Sequence, residues 1–267
     1  HGTGFTSATT VSFSGVPGTT VVDVSPFTLT AVVPPETGSA TLGVSTWAGT
    51  SNAVSFSFAT PGLGYYEVAS DGGLFAFTAP FKGSMGAKHL NAPMVGMTTD
   101  TATGGYWEVA SDGGIFSYTA PFFGSEGGKA LNAPIVGMTS LPTGKGYYEV
   151  ASDGGIFAFG TAKFHGSMGA KPLNAPIVGM AYDTSTGGYY EVAKDGGLFA
   201  FTAPFKGSMG AKPLNAPVVG MAFDSTTTGY YEVASDGGLF AFTAPFKGSM
   251  GAKHLNAPVV GMVGAAG

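Results

Sequence analysis

The chain has 267 residues, of which 10% are charged against about 25% in an average globular domain. With 45 glycines and 13% aromatic residues it is not a disordered polymer and suits an all-β protein of short strands and tight turns. Net charge is −5 and all 11 basic residues are lysine, which excludes the basic stripe of a nucleic-acid binder and a polybasic membrane patch. The absence of cysteine removes disulfides, thiolate zinc sites and thiol catalysis. No apolar run approaches the roughly 20 residues of a membrane helix, and no secretory leader is recognisable. A start at His1 rather than Met is expected of a processed product or a fragment.

In chain order, residues 1–60 come first and lack lysine. Alternating apolar and polar residues, with turn residues every 8–12 positions, predict a small β-sandwich here. Gly2-Thr3-Gly4-Phe5, the Val11–Val16 stretch, Val33-Pro34 and Gly38 through Val44 resemble the IPT/TIG immunoglobulin-like family, which implies an Ig-like sandwich. Members of that family carry one or two strands before the first of these motifs, whereas only His1 precedes it here. The expectation is a truncated domain, with strand donation by a neighbouring molecule as the alternative. Residues 60–64, TPGLG, read as a linker.

From residue 64 the chain repeats itself. A tyrosine opening Tyr-(Tyr/Trp)-Glu-Val-Ala stands at positions 65, 106, 147, 189 and 230, at spacings of 41, 41, 42 and 41. Such a period marks a solenoid, a propeller or an array. Each copy predicts four strands: YYEVA (b), LFAF (c) after a DGG hairpin turn, FKGSM (d), and VVGM (a) after a GAKHLNAP loop. Four strands in about 41 residues is the content of a propeller blade.

The repeats open on strand b at Tyr65 and close on strand a at Val259–Met262. The first copy therefore lacks an a strand and the C-terminus has a spare one. The fold class expected is all-β: a five-bladed propeller over residues 64–267, its closing blade shared by both ends, after a truncated Ig-like sandwich over residues 1–60. Gly-Met recurs at 96–97, 137–138, 179–180, 220–221 and 261–262, where glycine is expected to allow close approach at a central channel and methionine to fill between blades.

The motifs GYW/YEVASDGGIFAF and LNAPVVG, over residues 64–262, resemble a repeat family of secreted and cell-surface actinobacterial proteins. The resemblance implies an extracellular or cell-surface protein and little about chemistry. Glu replaces the apolar residue usual after the paired aromatics. In expected architecture the chain is also similar to five-bladed lectins of the tachylectin kind, a likeness of fold that carries no function.

Three polar positions recur in every copy. Glu67, Glu108, Glu149, Glu191 and Glu232 lie inside strand b, where they either supply a polar contact in a repeated ligand-binding pocket or are structural, since a buried carboxylate needs a partner. Lys88, Lys129, Lys171, Lys212 and Lys253 are the expected partners, with backbone amides or exposure at a blade end as alternatives. Asn91, Asn132, Asn174, Asn215 and Asn256, in LNAP, either cap a turn or join the lysines and a nearby ring in a sugar-binding trio. The aspartates of the DGG turns offer one carboxylate per copy, too few for calcium, and the histidines have no metal-ligand spacing. Fivefold repetition argues against the unlike acid and base of a glycosidase, and no nucleophile motif is present.

These features predict a non-enzymatic binding or adhesion module with no catalytic residue, metal or cofactor. It is directed at a surface glycan or a partner protein, or at itself, and neither binds nucleic acid nor inserts into a membrane. The alternative is a structural subunit of a surface layer or filament, and a third possibility is an enzyme with its site at the propeller mouth. Saturable sugar binding, concentration-dependent assembly, and turnover dependent on one unrepeated carboxylate would distinguish them.

Overall fold

A computed structural model describes residues 10–13, 16–17, 19–25, 28–32, 39–46, 49–50, 54–57 and 65–262. All regular structure among them is β-strand, and no helix is long and apolar enough to cross a membrane. The chain divides into two compact units, His1–Gly64 and Tyr65–Gly267.

The first unit contains β1 (Thr10–Phe13), β2 (Val16–Pro17), β3 (Thr19–Ser25), β4 (Thr28–Val32), β5 (Ser39–Thr46), β6 (Gly49–Thr50) and β7 (Val54–Ser57). One antiparallel sheet runs β2-β1-β5-β6, with β7 also on β5, and β3 pairs with β4. The motifs at Gly2–Phe5 and Val33-Pro34 lie outside the described residues.

The second unit is a succession of small antiparallel sheets. It begins with the hairpin β8 (Tyr65–Val68) and β9 (Leu74–Phe77). Four three-stranded sheets follow in the order a-b-c: β10 (Met94–Asp100), β11 (Gly105–Ala110), β12 (Ile115–Tyr118); β13 (Ile135–Ser140), β14 (Gly146–Ala151), β15 (Ile156–Gly160); β16 (Ile177–Tyr182), β17 (Tyr189–Ala193), β18 (Leu198–Phe201); and β19 (Val218–Asp224), β20 (Gly229–Ala234), β21 (Leu239–Phe242). The b–c turns form as their composition dictates. Asp112 Oδ1 accepts the Gly114 N–H at 3.0 Å, and Gly113 takes φ +79°.

The predicted d strand does not form. Thr78, Thr119, Thr202 and Thr243 turn the chain out of strand c at φ 56–62°, and the backbone of the d segment is bound by side chains instead of a ladder. Within a copy, the second aromatic of strand b holds the loop after strand c: the Tyr148 hydroxyl donates to the Lys163 carbonyl at 2.8 Å, and Trp107 Nε1 to the Pro121 carbonyl at 2.9 Å. Between copies, the first tyrosine holds the preceding copy. Tyr189 accepts the His165 N–H at 3.0 Å and donates to the Gly166 carbonyl at 2.6 Å. Tyr106, Tyr147 and Tyr230 do the same to Lys82-Gly83, Phe123-Gly124 and Lys206-Gly207.

The core therefore lies between consecutive copies. Trp107 packs on Tyr147, Tyr148 on Tyr189 and Tyr190 on Tyr230, with ring centroids 4.8–5.3 Å apart, inside clusters shared by two neighbouring sheets. Tyr189→Phe should cost about 1–3 kcal/mol, because it strands a partly buried N–H and C=O together. Denaturant unfolding against the parent tests this, and an unchanged midpoint would show that the hydroxyl does not hold the junction.

The closing blade expected from sequence is not formed either. β8 pairs only with β9, and Val259–Met262 belongs to no strand. Tyr65 is 58% exposed where its four counterparts are 0% exposed. Equal steps close a ring of five only if each turns one fifth of a revolution without rise. The four junctions repeat one set of contacts and leave the two ends unjoined.

Glycine also acts elsewhere than expected. A Cβ on Gly96, Gly137 or Gly179 would meet neighbours only at ordinary distances of 3.6–3.9 Å. The close approach is in the DGG turn, where a Cβ on Gly154 would stand 2.5 Å from Met168 Cβ.

Candidate functional site

The structure separates the three sets of polar residues. Glu108, Glu149, Glu191 and Glu232 are wholly buried at the junctions between copies, while Glu67, on the open end, is exposed. The alternating pleat of strand b sends the first tyrosine and the Glu to the same face, which the preceding copy covers. A Cβ on Gly113 would lie 3.1 Å from Glu149 Oε2, and one on Gly154 2.9 Å from Glu191 Oε2.

The expected Glu–Lys pairing is not made. Among the described residues, none of the eight carboxyl oxygens of these four buried residues makes a hydrogen bond of good geometry, although the backbone amides of Met85, Glu126, Met168 and Met209, and Tyr118 at Glu108, lie close enough to favour the charged form. Lys129–Glu126 is the one ion pair among the described residues, at 2.9 Å. Burial changes the requirement: desolvation lifts Glu108 to about 7 and Glu149, Glu191 and Glu232 to about 8. The lysines of the preceding copy pull against this from outside. At pH 7 Glu149, Glu191 and Glu232 are mostly neutral and need no counter-ion, while Glu108 is about half ionised; the lysines stand in solvent.

All five lysines and all five asparagines are exposed. Each lysine N–H closes a short turn, as when Lys171 N donates to the Met168 carbonyl at 2.9 Å, so every copy presents its lysine from the same loop. The asparagine side chains make no hydrogen bond among the described residues, so none caps the LNAP turn. Lys212 and Asn215 do meet, in a shallow cavity of about 300 Å³ with Lys194, Asp195 and Pro217, but no ring lines it. Lys88 instead lines a cleft of about 380 Å³ between the first two copies, with Phe116, Ser117, Tyr118 and Phe122. The Ser117 hydroxyl there is buried and has no hydrogen-bond partner among the described residues.

Surface rings were expected from sequence, but not which ones. Phe81, Phe122, Phe164, Phe205 and Phe246, at equivalent positions of the five copies, are 59–60% exposed. The available signal was the break in pattern before each ring, since Ala-Pro or Ala-Lys cannot lead an apolar residue into a sheet in the usual way. Each ring follows the loop that the second aromatic of strand b pins down, so all five are held alike.

With this geometry in place, the comparisons bear on the fold alone. No family model matches the chain, and no curated protein matches it. Among solved structures, the chain is similar to Raptor from Chaetomium thermophilum, with a TM-score of 0.51 and 11% identity over 84% of this chain and 24% of that one. It is also similar to a structural-genomics protein of unknown function from Bacteroides thetaiotaomicron, with a TM-score of 0.46 and 12% identity over 88% of this chain and 62% of the other. The chain thus spans less than two thirds of the length of either.

The arrangement suits contact with a surface. An exposed ring face beside an exposed ammonium group can stack on an apolar face and donate hydrogen bonds. It does not suit acid–base catalysis. Groups with raised pKa values are candidates for such chemistry, but here they are sealed between copies.

Proposed function

We propose that residues 65–262 act as a non-enzymatic, multivalent binding module of five propeller-like repeats, outside the cell and directed at surface glycans. The observation that carries it is the equal exposure of one phenylalanine ring in each of five copies. A soluble chain gains nothing in stability from keeping a ring in water at the same place five times. Weak equivalent sites gain avidity when a ligand is itself repetitive. The resemblance of the repeat motif to secreted actinobacterial proteins supports the extracellular setting, and the paired sheets of the first unit support an Ig-like companion domain. Burial of four of the repeated glutamates supports a role without turnover, since glycoside hydrolysis requires two carboxyl groups flanking the bond to be cut.

The full chain is expected to bind glycans on an array, with competition by the free sugar. Phe122→Ala and Lys88→Ala should each weaken binding by removing part of one site. Replacing all five exposed phenylalanines should abolish it while leaving the melting temperature in place. A blank array would refute the glycan reading, and binding unaffected by loss of the five rings would refute the proposed site.

A further inference from the structure

The two open ends of the repeat array are the two halves of a junction that the chain builds four times within itself. At each internal junction the first tyrosine of one copy grips the Lys/Phe/His-Gly backbone of the copy before, and its Glu is buried there. The glycine of that pair lies under the strand c ring of the later copy. A Cβ on Gly124 would stand 2.9 Å from Phe159, and one on Gly207 2.9 Å from Phe242.

Among the described residues, the first copy presents the tyrosine half without an occupant. Tyr65 and Phe77 stack on each other with centroids 4.9 Å apart and are exposed, as is Glu67. The edge of β8 opposite β9 has no a strand. The last copy presents the other half. Residues 244–253 repeat residues 79–88 without a change, so Lys247-Gly248 offers Tyr65 what Lys82-Gly83 offers Tyr106. A Cβ on Gly248 would meet nothing within 4 Å.

The missing strand is also available there. The Val259 N–H donates to the Ser235 carbonyl at 2.8 Å, as the Val218 N–H donates to that of Lys194 at 2.9 Å. A Cβ on Gly220 would lie 3.5 Å from Gly261 Cα, so Val259–Met262 enters the place of the next a strand. Val260 is 85% exposed.

We propose that a second copy of this chain fills this junction, the tail of one molecule receiving the head of the next. The occupant follows from continuity with the internal junctions. A second molecule can apply the same step a fifth time with every contact intact, whereas joining the two ends of one molecule requires the four existing junctions to change. The contact is heterologous, so it propagates head to tail, and the added strand removes an open sheet edge. This self-association does not depend on glycan binding.

The test is sedimentation of the full chain over a range of concentrations, with two variants. Tyr65→Asp places a charge on the head, where Tyr65 is exposed in the single molecule. Gly261→Trp obstructs the tail strand, at a position where a Cβ meets nothing within 4 Å. The mass of the parent is expected to grow with concentration. Each variant alone should require about 100-fold more protein to associate, with an unchanged melting temperature when dilute. Mixed, the two variants should form a dimer and nothing larger, because they share one intact head–tail pair. A parent monomeric at every concentration, or association that both variants retain, would overturn the proposal.

Discussion

Raising the pH from 5 to 9 is expected to destabilise the repeat unit, lowering its melting temperature by about 10 °C or more. The cause is the four buried glutamates. An unfolded Glu titrates near 4.5, while the folded values are about 7 for Glu108 and about 8 for Glu149, Glu191 and Glu232. Between those limits the folded chain holds more protons than the unfolded one, so stability falls as pH rises. The contribution is complete below about 4.5 and is lost as pH passes through 7 and 8. If only about one pKa unit per site survived relaxation around the charge, the four sites together would still give roughly 5 kcal/mol.

The groups facing these sites modulate the effect without reversing it. Lys88, Lys129, Lys171 and Lys212 favour the charged form, while Glu126 and Asp112 oppose it at Glu149, Asp153 at Glu191 and Asp195 at Glu232. Glu191→Gln mimics the neutral acid. It should match the parent near pH 5, exceed it at pH 9, and flatten the profile by one site's share. A melting temperature independent of pH in the parent would show that the carboxyl groups ionise without penalty.

Gly154→Ala should cost about 2–4 kcal/mol or prevent folding, whereas Gly179→Ala should cost less than about 1 kcal/mol. Both glycines recur in every copy and look alike in the sequence. At Gly154 the backbone stands at φ +81° and a Cβ would press on Met168 Cβ at 2.5 Å and on Glu191 Oε2 at 2.9 Å. Relief would require moving a turn that also seals the buried carboxyl. At Gly179 a Cβ would meet Gly220 Cα and Val192 Cγ1 at 3.8 Å, ordinary contact. Chemical denaturation of the pair, measured side by side, tests the assignment. Equal losses would place the steric constraint on the inner strand after all.

Much of the fold was legible because it is local. Strands a, b and c and the DGG turn depend on residue type over a few positions: alternation, an Asp that accepts an N–H two residues on, a Gly at positive φ. Repetition multiplied each signal by five. Strand d was misjudged because FKGSM has strand composition, yet backbone groups at Lys82 and Gly83 are taken by Tyr106 of the next copy, 24 and 23 residues away in sequence. The glutamates were recognised as repeated and buried, but not as neutral. Their lysines lie close in the repeat and stay in solvent, and only burial shows which protonation state prevails.

The sequence by itself determined an all-β chain of two units, the five copies, the phase in which they begin and end, and the identity of the residues that recur. Tertiary structure alone decided that the second unit is held by junctions between copies, that the lysines, asparagines and glutamates do not share one site, that one equivalent phenylalanine ring of every copy faces solvent, and that the two ends do not meet. These outcomes depend on how one copy is set against the next. That step is fixed by side-chain volumes and hydrogen bonds between residues tens of positions apart, and no local pattern encodes its angle.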